Sequence, residues 1–180
     1  LFTAADWSQV SRPVFMPSGD AIVFSYLRPG HGRNLFELDR GTGVVRPLTD
    51  GRSYDIDPWP SPDGRRVLFA SDRGAPGLDI FEVDRATGEI TRLTRGTTSL
   101  QSPVLAPRDD ETVLYASGYS SRGFDVVRIE TPYEELGATS RPVAAPLAEV
   151  PRPPVDDVVD RRGRYRAVTR IRPTSWSPVG

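Results

Sequence analysis

Asp57-Pro58-Trp59-Pro60-Ser61-Pro62-Asp63-Gly64-Arg65-Arg66-Val67-Leu68-Phe69-Ala70-Ser71-Asp72-Arg73 is followed closely by Asp79-Ile80-Phe81-Glu82-Val83-Asp84 and then Thr87-Gly88. The apolar runs here are four residues long or shorter, rich in Val, Ile, Leu and Phe, and bounded by Pro, Asp, Gly and Ser. That is the grammar of β-strands joined by turns. Pro62 presets the backbone angle at the second position of a turn, and Gly64 accepts the positive φ that follows. Gly88 does the same in the next turn. Four short strands result: a around 58–61, b over 66–70, c over Asp79–Asp84 and d over 90–94, with a longer loop between b and c.

The same pattern occurs three times. Pro13, Pro58 and Pro103 stand 45 residues apart, and Pro17, Pro62 and Pro107 follow each by four. Strand b reads Ile22-Val23-Phe24, Val67-Leu68-Phe69 and Val113-Leu114-Tyr115, so the third copy carries one extra residue in its turn. Strand c reads Leu35 to Asp39, Ile80 to Asp84 and Val126 to Glu130. The first two copies end alike, with Thr-Gly and then Leu-Thr, an ending the third loses. A four-stranded meander of about 40–45 residues, repeated, is a β-propeller blade that buries its faces only against neighbours. The competing reading, unrelated hairpins in a sandwich, does not explain three copies in fixed register.

The expected fold is therefore all-β: a partial β-propeller of three four-stranded antiparallel blades with an irregular C-terminal tail. Blade 1 is expected over 8–52, blade 2 over 53–97 and a degenerate blade 3 over 98–142, with 1–10 a remnant of a preceding blade. Residues 143–180 read as a Pro-rich linker and tail. Propellers close with about 4–8 blades, so the remaining blades are expected in a longer chain, or, as a lesser alternative, two chains close a six-bladed ring. Raw interblade faces predict poor solubility or oligomers for the chain by itself.

Composition excludes several classes of function. The net charge is −1, which offers no basic surface for nucleic acid. No apolar run is long enough to insert in a membrane. Cysteine is absent, which removes disulfides, thiolate zinc sites and a cysteine nucleophile. Every basic side chain is Arg, so no lysine-containing phosphate loop exists.

Chemistry is correspondingly sparse. His31 is the one histidine and sits in the loop Arg28-Pro29-Gly30-His31-Gly32-Arg33, and no Gly-x-Ser-x-Gly elbow occurs. Asp55-x-Asp57 and Asp109-Asp110 resemble calcium ligands but lack the Gly and distant Glu of a calcium loop. No catalytic, cofactor or metal site is expected. Asn34, Asp79 and Asp125 recur at the start of strand c, where a repeated polar residue serves structure by bonding the preceding loop. The b–c loops, over 24–35, 69–80 and 115–126, are the candidate partner surface. Within them Tyr26, Arg28, His31, Asp72, Arg73, Tyr119 and Arg122 differ between copies, and Arg and Tyr are favoured anchors at protein interfaces.

The run from Asp57 to Asp84 with Thr87-Gly88 closely resembles the TolB-like (WD-repeat-like) propeller blade. The first copy departs modestly and the third is eroded, so the resemblance spans about 8–142. It implies a periplasmic or outer-membrane-associated setting in bacteria. It also implies a non-catalytic scaffold whose b–c loop face binds a protein partner, such as an outer-membrane lipoprotein, or a peptidoglycan-associated one. Arg172-Pro173 with Trp176 and Pro178 is similar to the junction that leads from such propellers into an outer-membrane barrel; the other reading is a tail packing Trp176 on the rim. The alternative function is the gating propeller of a prolyl-oligopeptidase-type serine peptidase, whose blades are similar and whose catalytic domain lies elsewhere.

Overall fold

Eleven strands and one short helix make up the described part of the chain. They are β1 (Gln9–Phe15), β2 (Ala21–Leu27), β3 (Arg33–Asp39), β4 (Val45–Pro47), β5 (Ile56–Pro60), β6 (Arg66–Ser71), β7 (Asp79–Asp84), β8 (Ile90–Arg92), β9 (Leu100–Arg108), β10 (Glu111–Ser120), β11 (Gly123–Arg128) and α1 (Tyr133–Thr139). The computed structural model describes residues 2–4, 7–74, 77–96 and 98–139. The Pro-rich stretch from 143 and the segment around Trp176 lie outside them.

Three antiparallel sheets form in sequence order: β1-β2-β3-β4, β5-β6-β7-β8 and β9-β10-β11. The turns behave as their residues dictate. Gly64 has φ +70° and donates its N–H to Ser61 O, while Ser61 Oγ receives the Arg66 N–H. Gly43 and Gly88 both have φ +74° and close the outer hairpins of the first two blades. There Asp39 and Asp84, the last residues of strand c, accept backbone N–H groups from Thr42 and Thr87. These bonds hold both carboxyls below the usual aspartate range.

Blades stack through two apolar layers. Val23, Leu35 and Leu48 of blade 1 meet Val67, Phe69, Phe81 and Val83 of blade 2. Leu68, Ala70, Ile80 and Leu93 on the other face of blade 2 meet Leu100, Leu105, Leu114 and Ala116 of blade 3. Strand β6 is thus apolar on both faces and β7 is apolar on both but for Glu82, and Phe69, Phe81 and Leu68 are fully buried. The repeated Leu-Thr ending has its own task. Thr49 Oγ1 accepts the Leu35 N–H and Thr94 Oγ1 the Ile80 N–H, both at 2.9 Å, so a side chain continues the ladder where the three-residue strands β4 and β8 stop.

The third blade departs from expectation in three ways. Its first hairpin is longer than the copies suggest. Pro60 pairs with Val67, whereas Leu105, at the same place in the repeat, pairs with Leu114. The insertion is thus two residues rather than one, and Leu114 rather than Val113 takes the place of Val67. A one-residue change of register sends every side chain to the opposite face, which is why Leu114 and Ala116 point toward blade 2. Second, the expected b–c loop is absent. Strands β10 and β11 pair up to Ser120 and Gly123, leaving only Ser121 and Arg122 between them. Gly123 at φ +119° permits the tight reversal, and the Tyr119 and Phe124 rings pack across it at 5.1 Å. Third, among the described residues the sheet has three strands. After Pro132 the chain forms α1, whose first turn carries Glu134 and Glu135 as the helix dipole favours, and Leu136 buries in the layer between blades 2 and 3.

Candidate functional site

Strands β1, β5 and β9 are the first of their blades and lie against one another in succession. Each is bulged at the residue before the repeat's proline. Arg12, Asp57 and Ser102 hold left-handed backbone there, with φ of 53°, 54° and 52°. The following proline disfavours the ordinary helical region for these residues, and a non-glycine left-handed conformation costs of order 1–3 kcal/mol. Bonds between blades offset that cost. Arg12 Nε lies 3.3 Å from Asp57 Oδ1. Ser102 donates to Asp57 Oδ2 through both its N–H (3.1 Å) and its hydroxyl (2.7 Å). A bulge re-aims a side chain, and here three bulges aim three side chains sideways, blade to blade, along the inner wall. A cavity of about 230 Å³ opens on this arc, lined by the three residue–proline pairs with Val14, Trp59 and Val104.

Above the arc, at the seam of blades 1 and 2, Asp55 is fully buried. Its carboxylate accepts from Thr49 Oγ1 (2.6 Å), Ser71 Oγ (2.7 Å) and Arg73 Nη2 (2.5 Å). Its carbonyl accepts from Ser25 Oγ. The Arg73 guanidinium also lies over the Phe69 and Phe81 rings. Lower in the same seam, Glu37 takes Arg46 from its own blade and Arg85 from the next. Glu82 takes Arg66 and the Tyr133 hydroxyl of α1, and burial raises its pKa.

The recurrent position at the start of strand c behaves unevenly. Asp79 bonds Thr94, Gly96 and Arg92, which lie on strand d and beyond rather than in the preceding loop as expected. Asn34 is buried and its Nδ2 has no partner among the described residues. Asp125 lies near Ser120 across the last hairpin.

The candidate partner residues fall into three groups. Tyr26 is in strand β2, buried against Phe2, Phe24 and Phe36, with its hydroxyl on Ser8. Arg28 is exposed over the Phe36 ring, and His31 is exposed in the turn beside it. Asp72 is exposed and receives the Tyr54 N–H, whereas Arg73 is drawn into the seam with 11 % of its side chain exposed. Tyr119 is the next-to-last residue of strand β10 and Arg122 occupies the two-residue turn. The b–c corners pack on the connectors between blades, since a Cβ at Gly32 would meet the Gly51 and Ser53 carbonyls at 2.6 Å. The calcium-like aspartates are otherwise employed: Asp55 and Asp57 bind across seams, and Asp109 (φ 53°) lies in the first hairpin of blade 3. Among the described residues no three His, Asp or Glu side chains gather as a metal set. Sequence reading passed over Arg12 and Ser102, although the proline spacing marks both.

The sequence profile of the TolB beta propeller domain matches residues 4–146. A putative TolB from Agrobacterium tumefaciens shares the fold at TM-score 0.52 and 22 % identity over 63 % of this chain and 46 % of its own. TolB from Acinetobacter baumannii aligns at TM-score 0.43 and 18 % identity, over 69 % of this chain and 33 % of its own. A puromycin hydrolase variant aligns at 0.49 and 16 %, over 74 % and 29 %. The chain thus spans less than half the length of these structures. No curated protein matches it by sequence. With the repeat, the sheet order and the profile in agreement over most of its length, the chain belongs to the TolB β-propeller domain family.

Proposed function

We propose that the chain is a non-catalytic scaffold of the bacterial cell envelope, periplasmic or outer-membrane-associated, that presents its b–c loop end to a protein partner. The observation that supports this is where the charge is spent. Asp55, Asp57, Asp79, Glu37 and Glu82 are each saturated by partners that join strands or blades. Arg28, His31 and Asp72 remain exposed at one end, in the loops that join the sheet strands, as binding residues do. Tight Pro-Asp-Gly and Thr-Gly turns occupy the other end. Neither nucleic acid nor membrane insertion is invoked: the charge is balanced, and no described helix is long and apolar enough to cross a membrane. Further blades of the full protein would complete the surface.

The test places a photo-crosslinking amino acid at His31 or Asp72, and at Thr42 or Thr87 on the opposite end, in cells with an intact envelope. Loop-end positions are expected to yield a discrete adduct with an envelope protein and turn-end positions none. Equal adducts from both ends, or none from the loop end, would overturn the reading.

A further inference from the structure

We propose that the cavity on the inner arc takes a carboxylate group carried by an extended segment of a protein partner, gripped by the guanidinium of Arg12. This rests on the partner reading above and names the chemistry that the partner brings.

The hydrogen-bonding capacity of the wall decides the ligand class. Pro13, Pro58 and Pro103 have no N–H to offer. Asp57 spends one oxygen on the Ser102 N–H and hydroxyl and the other on Arg12 Nε, and 13 % of its side chain is exposed. Ser102 spends its one hydroxyl proton on Asp57. Arg12 is different: 70 % of its side chain is exposed, and its ion pair with Asp57 is made through Nε. No described residue accepts from its Nη nitrogens. The side-chain donors the wall offers, among the described residues, are therefore the Nη edge of the Arg12 guanidinium, a planar fork that fits a carboxylate with two parallel bonds, and the single indole N–H of Trp59. Asp57, the carboxylate in the wall, accepts from Arg12 Nε and from the two Ser102 donors, so a ligand carboxylate shares the guanidinium with it and meets the opposite, Nη edge. Trp59, Val14 and Val104 give the apolar surface against which a short stem packs. About 230 Å³ admits one side chain or a chain end, not a folded element. The left-handed backbone at 12, 57 and 102 fits this use, because strain maintained at three successive positions keeps the wall in one geometry.

A carboxylate reaches such a site from an Asp or Glu side chain or from a chain terminus. The experiment titrates the ¹⁵N-labelled chain with three probes: acetyl-Ala-Ala-Glu-Ala-Ala-amide, its Gln counterpart, and acetyl-pentaalanine with a free carboxyl end. The Nε–H signal of Arg12 and the indole N–H of Trp59 report the site. The Glu peptide, the free-carboxyl peptide or both are expected to shift them, which also identifies the source, and the Gln peptide is expected not to. Arg12→Gln is expected to weaken binding about tenfold or more, as loss of a charge-assisted pair does. Asp57→Asn keeps an acceptor for Ser102 and releases Arg12, so binding is retained or tightened. A silent titration, an equal response to the Gln peptide, or a response that survives Arg12→Gln with native Trp59 shifts would overturn the inference. Loop-end crosslinks without peptide shifts would sink this site alone. Peptide shifts without crosslinks would sink the partner reading alone.

Discussion

Arg73 is a long cation in a loop by sequence and a buried pillar in the structure. Its guanidinium lies over Phe69 and Phe81 and meets Asp55, which is closed off from water by Thr49 and Ser71. Removing one member of such a pair strands the other charge in a dry seam. Arg73→Ala is expected to cost about 3–5 kcal/mol in urea unfolding. Asp55→Asn in the same chain is expected to recover a substantial part, because no uncompensated charge remains. Independent, additive losses in the two variants would contradict the pairing. Arg73 was misleading because a loop position says nothing of direction, and its partner lies 18 residues earlier, in the connector between blades. Tyr26 was more legible. It stands two residues beyond Phe24, and alternate residues of a strand share a face, so Tyr26 could have been assigned to the aromatic layer with Phe24 and Phe36. Arg12 and Ser102 carried a subtler mark, since the repeat prolines report the bulge only to a reader who asks what precedes them.

Strands and turns of the first two blades were readable because local chemistry and burial agree there. Pro and Gly set the turns, β-branched and aromatic residues fill the strands, and the same face alternation serves both neighbours. In the third blade local and global demands part company. Asp109-Asp110 makes a tight reversal and shifts strand β10 by one residue relative to the repeat pattern, and nothing in Val113-Leu114-Tyr115 declares which face each takes. Burial settles it: Leu114 packs with Leu68 and Leu105, and Gly118 sits where Val127 crosses. A Cβ at Gly118 would come within 2.6 Å of Val127 Cγ2. Gly118→Ala is therefore expected to destabilise the protein by about 1–3 kcal/mol through overpacking, and Val127→Ala in the same chain to relieve most of that loss. Thermal unfolding of the two single variants and the double variant checks this. A double variant weaker than either single one would mean that Gly118 is required by its backbone and not by its neighbour.

Across the molecule, stability depends on stacked blades, and the acid titration of those stacks has a definable shape. Glu82 is buried between Arg66 and Tyr133, and desolvation lifts its pKa above the ordinary 4.5. Folded Glu82 therefore takes up a proton at a higher pH than the unfolded chain does. As pH falls through that raised value toward 4.5, this group adds stability, and below 4.5 the gain is complete. Asp20, Asp39, Asp63 and Asp84 act oppositely, because turn hydrogen bonds from Ser18, Thr42, Ser61 and Thr87 hold them below the ordinary 3.8. Their contribution is intact above 3.8 and drains away as pH falls through their lowered values. Urea midpoints measured against pH are expected to rise gently on the way to 4.5 and fall below 3.8, with Glu82→Gln erasing the rise and leaving the fall. A fall that begins well above 4.5 in both proteins would show that other groups govern the stack. The outer face of blade 3 sets the second molecular property. By its register this face corresponds to the side of blade 2 that blade 3 covers, and it exposes Tyr119, Phe124 and Val126 at 55 %, 64 % and 82 %. Apolar surface gathered on one sheet drives association. Sedimentation of the chain is expected to show concentration-dependent oligomers, and Phe124→Glu with Val126→Lys to shift the population toward monomer without altering the circular dichroism. Oligomers that persist unchanged in that double variant would place the contact on another surface.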